Sequence, residues 1–225
     1  GSDIYFPEAP NGYLIDSKIT HSRNVRFVFA GKRAVTATDL PGSYLLKKST
    51  MTTSAVDITI NGAAWSGGGV LGQTGNTGNG ITILANNVVL DEVMSCKMGN
   101  DGIRIGSDSA GNNSNGCLLT KPVCSLNGRH GIYINDEGNP DANINVVILP
   151  LLQDNASDGI KIAKGLQNTV IGVASEANLG IGVHVASGAQ FATFIGGDSE
   201  ANTGQDIQID SGSSFTQIFG LAPTS

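Results

Sequence analysis

Four short stretches decide the architecture: Asn79-Gly80-Ile81-Thr82-Ile83, Asp101-Gly102-Ile103-Arg104-Ile105, His130-Gly131-Ile132-Tyr133-Ile134 and Asp158-Gly159-Ile160-Lys161-Ile162. Each sets a Gly before an apolar–polar–apolar triplet, the period-2 pattern of a strand with one buried face. Looser copies follow at Gly182-Val183-His184-Val185 and Asp206-Ile207-Gln208-Ile209. The first apolar residues fall at 81, 103, 132, 160, 183 and 207, giving spacings of 22, 29, 28, 23 and 24 residues. A second column fixes the same register. Asn76, Asn127, Asn155, Asn178 and Asn202 each stand five residues before the aligned Ile or Val, and only Met98 interrupts them.

Upstream of each Asn lies a further apolar segment, as in 87–93, 116–123, 144–152, 169–174 and 192–197. Each unit therefore reads strand, turn, strand, polar bend and Gly-Ile strand, with no room for an amphipathic helix. Such units predict an all-β chain, a right-handed parallel β-helix with coils of about 22–29 residues. Stacked at the strand spacing of about 4.8 Å, the coils give an inward ladder of Ile81, Ile103, Ile132, Ile160, Val183 and Ile207. The Asn column is expected to be structural, because Asn tolerates left-handed turns and its amides stack along an axis. The two long coils carry their extra residues in one place, at 106–115 and 135–143. Insertions in a solenoid map to loops, often on the binding face.

Composition agrees with a repeat of this kind. The 225 residues include 31 Gly, 40% hydrophobic and only 14% charged residues, with a net charge of −6. The apolar share excludes a disordered acidic chain, and Gly without a Gly-X-Y period excludes collagen. No apolar run reaches membrane-spanning length and no secretory leader opens the chain, so neither membrane insertion nor a signal peptide is expected. A pI near 4.9 argues against a nucleic-acid partner. Cys96, Cys117 and Cys124 lie in or beside apolar strands and read as buried thiols, with no metal-ligand spacing and no cofactor motif. Gly1-Ser2 reads as an expression scar, residues 3–75 as irregular N-terminal coils and 76–225 as regular coils of one domain.

The opening Asp3-Ile-Tyr-Phe-Pro-Glu-Ala-Pro-Asn-Gly-Tyr-Leu-Ile15 and the step Asn24-Val-Arg-Phe-Val-Phe-Ala-Gly31 resemble the N-terminal segments of the pectate-lyase-like β-helix superfamily. Val170-Ile-Gly-Val-Ala-Ser-Glu-Ala-Asn178 and Phe194-Ile-Gly-Gly-Asp-Ser-Glu-Ala-Asn202 resemble coils of bacteriophage tailspikes. The resemblance implies a protein of the virion tail or extracellular space that recognises, and depolymerises, a bacterial surface polysaccharide such as capsule or O-antigen. It also implies a homotrimer. The superfamily's usual Gly- and Asp-rich N-terminal segment is missing.

Reading across the coils in register gathers the candidate chemistry. Two residues before the inward Ile stand Asp101, His130 and Asp158; one after it stand Arg104, Tyr133, Lys161 and His184. Asp101 and Asp158 are two coils apart, roughly 9.6 Å of rise, near the upper limit for the acid and base of an inverting glycosidase, with His130 between them. This patch also resembles the polygalacturonase arrangement, although the paired Asp is absent and the Arg-Ile-Lys motif survives only as Gly159-Ile160-Lys161. A lyase would instead use Tyr133 or His130 as base and Arg104 or Lys161 to neutralise a uronate. Asp136 and Glu137, in the second insertion, complete the expected substrate-binding set. A second-choice catalytic set is Glu176, Glu200 and Asp198, whose stacked glutamates are expected about 5 Å apart, the spacing of a retaining pair. A different class remains open: a glycan-binding or purely structural module that cleaves nothing. No Gly-x-Ser-x-Gly elbow supports a serine esterase, and the acidic residues are too scattered for a calcium-dependent lyase.

Overall fold

The computed structural model describes residues 2–30, 42–106, 113–135 and 142–224. Among these, every named element is a strand and all pairings are parallel. No described helix is long and apolar enough to cross a membrane. One coil shows the plan: strands Val89–Asp91, Met94–Cys96 and Ile103–Ile105 follow one another around the axis. The next coil lays strands Leu118–Thr120, Val123–Ser125 and Ile132–Ile134 on them in register. Repeated over eight strands on the Gly-Ile side, this builds a parallel β-helix of three faces.

The ladder read from sequence is present. Ile81, Ile103, Ile132, Ile160 and Val183 are successive register partners and fully buried, with Ile207 half-buried at the end. The Gly before each is required by close approach: a Cβ on Gly159 would meet the Ser175 hydroxyl and lie 2.7 Å from the Gly182 carbonyl. In the coils built from residues 2–30 and 42–72 the core changes character. Phe6, Phe27, Phe29 and Trp65 interlock there, with Phe6 and Phe29 stacked at 4.1 Å. All three cysteines are buried free thiols, and burial pushes Cys96 up to about 12 and Cys117 up to about 11.

The Asn column is structural, but for only one of the two reasons given. Its amides do stack: Nδ2 of Asn127, Asn155 and Asn178 each donates to Oδ1 of the next at 2.9 Å. The left-handed residue, however, is the one before each Asn: Gly75, Lys97, Leu126, Asp154, Ala177 and Ala201 all have positive φ. The corner is thus strained one position early, and each Asn Oδ1 then accepts from the buried backbone N–H at the same position of the preceding coil. Two more corners follow the same rule, at Asn87, Gly116, Ile144, Gln167, Phe191, Phe215 and at Glu92, Lys121, Leu149, Gly172, Gly196, Gly220. A shorter second ladder, Asn145 to Asn168 at 3.0 Å, was not visible in the sequence pattern.

Asn155 holds the ladder at both ends, accepting from Asn127 and donating to Asn178 and to the Cys124 carbonyl. Asn155→Ala leaves buried donors unpaired and is expected to cost about 2–4 kcal/mol. Thermal unfolding followed by circular dichroism should show Tm falling by roughly 5–12 °C for a chain of this size; an unchanged Tm would remove the ladder from the account of stability.

Candidate active site on the second sheet

The Gly-Ile strands form the second sheet, and its outer face carries the charged residues. Along it Thr82, Arg104, Tyr133, Lys161, His184 and Gln208 are consecutive register partners. Asp101, His130 and Asp158 precede the strands at the polar bend. There the chain is not yet extended, so sharing parity with the buried Ile does not carry their side chains into the core. They join the outer face instead: the His130 ring stacks on Tyr133 at 5.1 Å, and the Asp158 carboxylate bonds His184.

Asp101 is fully buried and clamped. Arg129 grips both its oxygens, donating from Nε at 2.7 Å and from Nη2, while the His130 N–H reaches Oδ1 at 3.3 Å. A carboxylate bonded twice to a guanidinium is a strong anchor. Arg129 also lies over the Tyr133 ring at 4.5 Å, with Arg104 at 5.2 Å, so two guanidiniums share one aromatic.

Asp158 is the hub. Oδ1 accepts from the Ile181 N–H at 2.9 Å, and Oδ2 lies 2.8 Å from Nδ1 of His184. Nε2 of His184 reaches Asp210 at 3.2 Å, and Asp210 is held in turn by Gln208 at 2.6 Å. Burial alone would lower the His184 pKa, but its two carboxylate partners outweigh burial and raise it. Burial likewise pushes Asp158 up, yet the hydrogen bonds from His184 and Ile181 leave its carboxyl below the usual value.

His130 behaves oppositely. Its Nδ1 lies 3.5 Å from Asp158, but the Asp158 backbone N–H donates to that same nitrogen at 3.2 Å. The remaining proton therefore sits on Nε2, and the contact is no ion pair at neutral pH. Burial is the main cause that holds its pKa down to about 4, against the pull of Asp101 and Asp158.

The structure thus brings together Asp101, His130, Asp158, Arg104, Tyr133, Lys161 and His184. Glu176, Glu200 and Asp198 lie elsewhere, on the outside of the first sheet. Glu176 and Glu200 are register partners on the strands Thr169–Glu176 and Thr193–Glu200, and Glu176 accepts from Gln153 at 2.6 Å. Asp136 and Glu137 lie outside the described residues. Arg129 and Asp210 were missed by sequence reading; each flanks a marked strand and could have been found by following the charge column one residue further. Lys47 was missed too. It is fully buried and donates to the carbonyls of Thr77 and Asn79 at 2.6 and 3.2 Å, and burial lowers its pKa to about 8. Its parity with Leu45 is the signal. No cluster of His, Cys, Asp or Glu among the described residues could hold a metal ion.

No protein-family model matches the sequence, and no curated protein sequence matches it significantly. Solved structures do match in shape. Pectate lyase Pel9A superposes over 100% of this chain and 68% of its own, with a TM-score of 0.53 at 9% identity. The Dettilon tailspike protein gives 0.52 at 13% identity, over 98% of this chain and 56% of its own. A Geobacillus virus E2 protein gives 0.50 at 14% identity, over 98% and 54%. The fold is a pectate-lyase-like parallel β-helix. The chain spans little more than half the length of the Dettilon tailspike and of the Geobacillus virus E2 protein.

Within this β-helix the two imidazoles should titrate in opposite directions, His130 near 4 and His184 above 6.5, as read by NMR of the ring protons. Between about pH 4 and 6.5 the unfolded chain takes up a proton that His130 refuses, so stability rises with pH there by up to about 3 kcal/mol. His184 contributes below 6.5, and its contribution is lost as pH rises through its raised value. His130→Gln should flatten the acid limb measured by urea unfolding; an unaltered limb would show that His130 is not the group responsible.

Proposed function

We propose that this protein recognises a bacterial surface polysaccharide, capsule or O-antigen, on the outer face of the second sheet and depolymerises it there. A place in a phage tail, or outside the cell, accompanies that reading. One observation carries it. In a chain with 13 Lys and Arg and 19 Asp and Glu, one outer face collects His130, His184, Asp101, Asp158, Asp210, Arg104, Arg129, Lys161 and Tyr133 on adjoining coils. The tailspike and pectate-lyase names of the proteins sharing the fold lend support to a glycan as the partner.

On this reading Asp158 and His130, which no guanidinium clamps, carry proton transfer at the scissile linkage as hydrolase or lyase. Lys161, half-buried beside the largely buried Arg104, meets anionic groups of the polymer, and Asp101 holds Arg129 over Tyr133. A second reading, binding without cleavage, is favoured by the saturation of Asp101 and by the commitment of both His184 nitrogens to carboxylates. Purified capsules and O-antigens separate the two. Release of reducing ends or of unsaturated uronate is expected, and Asp158→Asn should slow it by about a hundredfold or more, with Glu176→Gln unaffected. Polymers bound but left intact would establish the binding reading instead.

The homotrimer belongs to the same proposal. Its support is an outer column on the first sheet that stays apolar, Ile148, Ile171, Ile195 and Phe219, with Ile195 and Phe219 both exposed. Parallel sheets are ordinarily covered on both faces. Sedimentation should give three times the chain mass, and Ile195→Glu should reduce it to one; a monomeric parent protein defeats this part.

A further inference from the structure

Away from the charged face, one corner holds two phenylalanines where most coils hold something else. Phe191 and Phe215 occupy the left-handed corner column at φ 53° and 55°, a conformation unfavourable for a bulky side chain. Neither ring is repaid by burial: they are 45% and 72% exposed. They stack on each other instead, centroids 4.8 Å apart and planes within 7°. Asn87, Gly116 and Gln167 stand at the same corner in other coils, so the fold does not demand an aromatic there.

The stack forms one wall of a groove of about 370 Å³. The opposite side is Thr169, Thr193 and Gln217, which are register partners, with Gln167 at the end. Every lining side chain is uncharged. The groove therefore repeats one pattern along the axis at about 4.8 Å per coil: an apolar wall facing a row of hydroxyl and amide groups. A sugar ring has the complementary make-up, with apolar C–H surfaces and a hydroxyl rim. A charged polymer would find no counter-charge here, and its desolvation would go uncompensated.

We propose that this corner groove is a second carbohydrate site, distinct from the charged face, that takes a neutral glycan strand laid along the helix axis. The ring stack is already rigid, so binding orders few side chains and loses little entropy. The Thr and Gln groups choose among hydroxyl configurations, while the Phe wall supplies apolar contact. The proposal does not depend on cleavage, or on the second sheet binding anything.

The test uses saturation-transfer NMR and calorimetry with short neutral gluco-, galacto- and manno-oligosaccharides, and oligogalacturonate as the acidic comparison. At least one neutral series should bind and oligogalacturonate should not compete with it. Phe191→Asn with Phe215→Asn copies the residue at Asn87, suits the left-handed corner and should fold with an undiminished Tm. It should weaken neutral binding at least tenfold, while Asp158→Asn leaves that binding unchanged. The proposal is overturned if no neutral series binds, if the double variant binds as well as the parent, or if it alters the sedimenting mass, which would make the corner a contact between copies of the chain.

Discussion

Every residue in a coil sits about 4.8 Å from its counterparts in the coils above and below, and this single spacing governs the molecule. Any side chain chosen at one position must tolerate its own kind as a neighbour. Isoleucine does so by close packing, and asparagine by donating its amide to the next carbonyl, as Asn127, Asn155 and Asn178 do. Carboxylates and ammonium groups do not, because like charges at that distance repel. A low charged fraction follows from the architecture.

On the second sheet carboxylates are answered by cationic or imidazole groups, whereas Glu176 and Glu200 stack as like charges on the first. Arg129 answers Asp101, and His184 lies between Asp158 and Asp210. The same burial that lowers His130 to about 4 is overcome at His184 by two carboxylates. Two histidines beside the same carboxylate thus hold different protonation states at one pH. The outer strip, which looks basic as Arg104, Tyr133, Lys161 and His184, is a mosaic once its acidic neighbours are counted.

The inward ladder and the Asn column were legible because each obeys a period that survives in one-dimensional spacing. The corners were not. Left-handed backbone normally announces itself with Gly or Asn, whereas here Lys97, Leu126, Ile144, Leu149, Phe191 and Phe215 adopt it. Stacked hydrogen bonds from neighbouring coils impose that conformation, so local propensity is overruled by context. The candidate site was half legible: its columns follow from register, but the partners Arg129 and Asp210 are set by how side chains turn at a bend. Lys47 lay hidden because a lone lysine in a strand reads as solvated, although its parity placed it inside.

Met98 gives the break in the Asn column a mechanical meaning. From Asn127 to Asn202 the coils are bound by an unbroken amide rail, whereas Asn76 bonds only the Gly99 N–H and the carbonyls of Gln73 and Lys97. Before the break, cohesion rests on the aromatic cluster around Trp65. A solenoid's stability is a chain of nearest-neighbour links, and here one apolar core runs through both parts, with the amide rail added to the second part alone. At Met98 the rail keeps its backbone bond, the Met98 N–H donating to Asn127 Oδ1, but has no amide to hand the link on to Asn76.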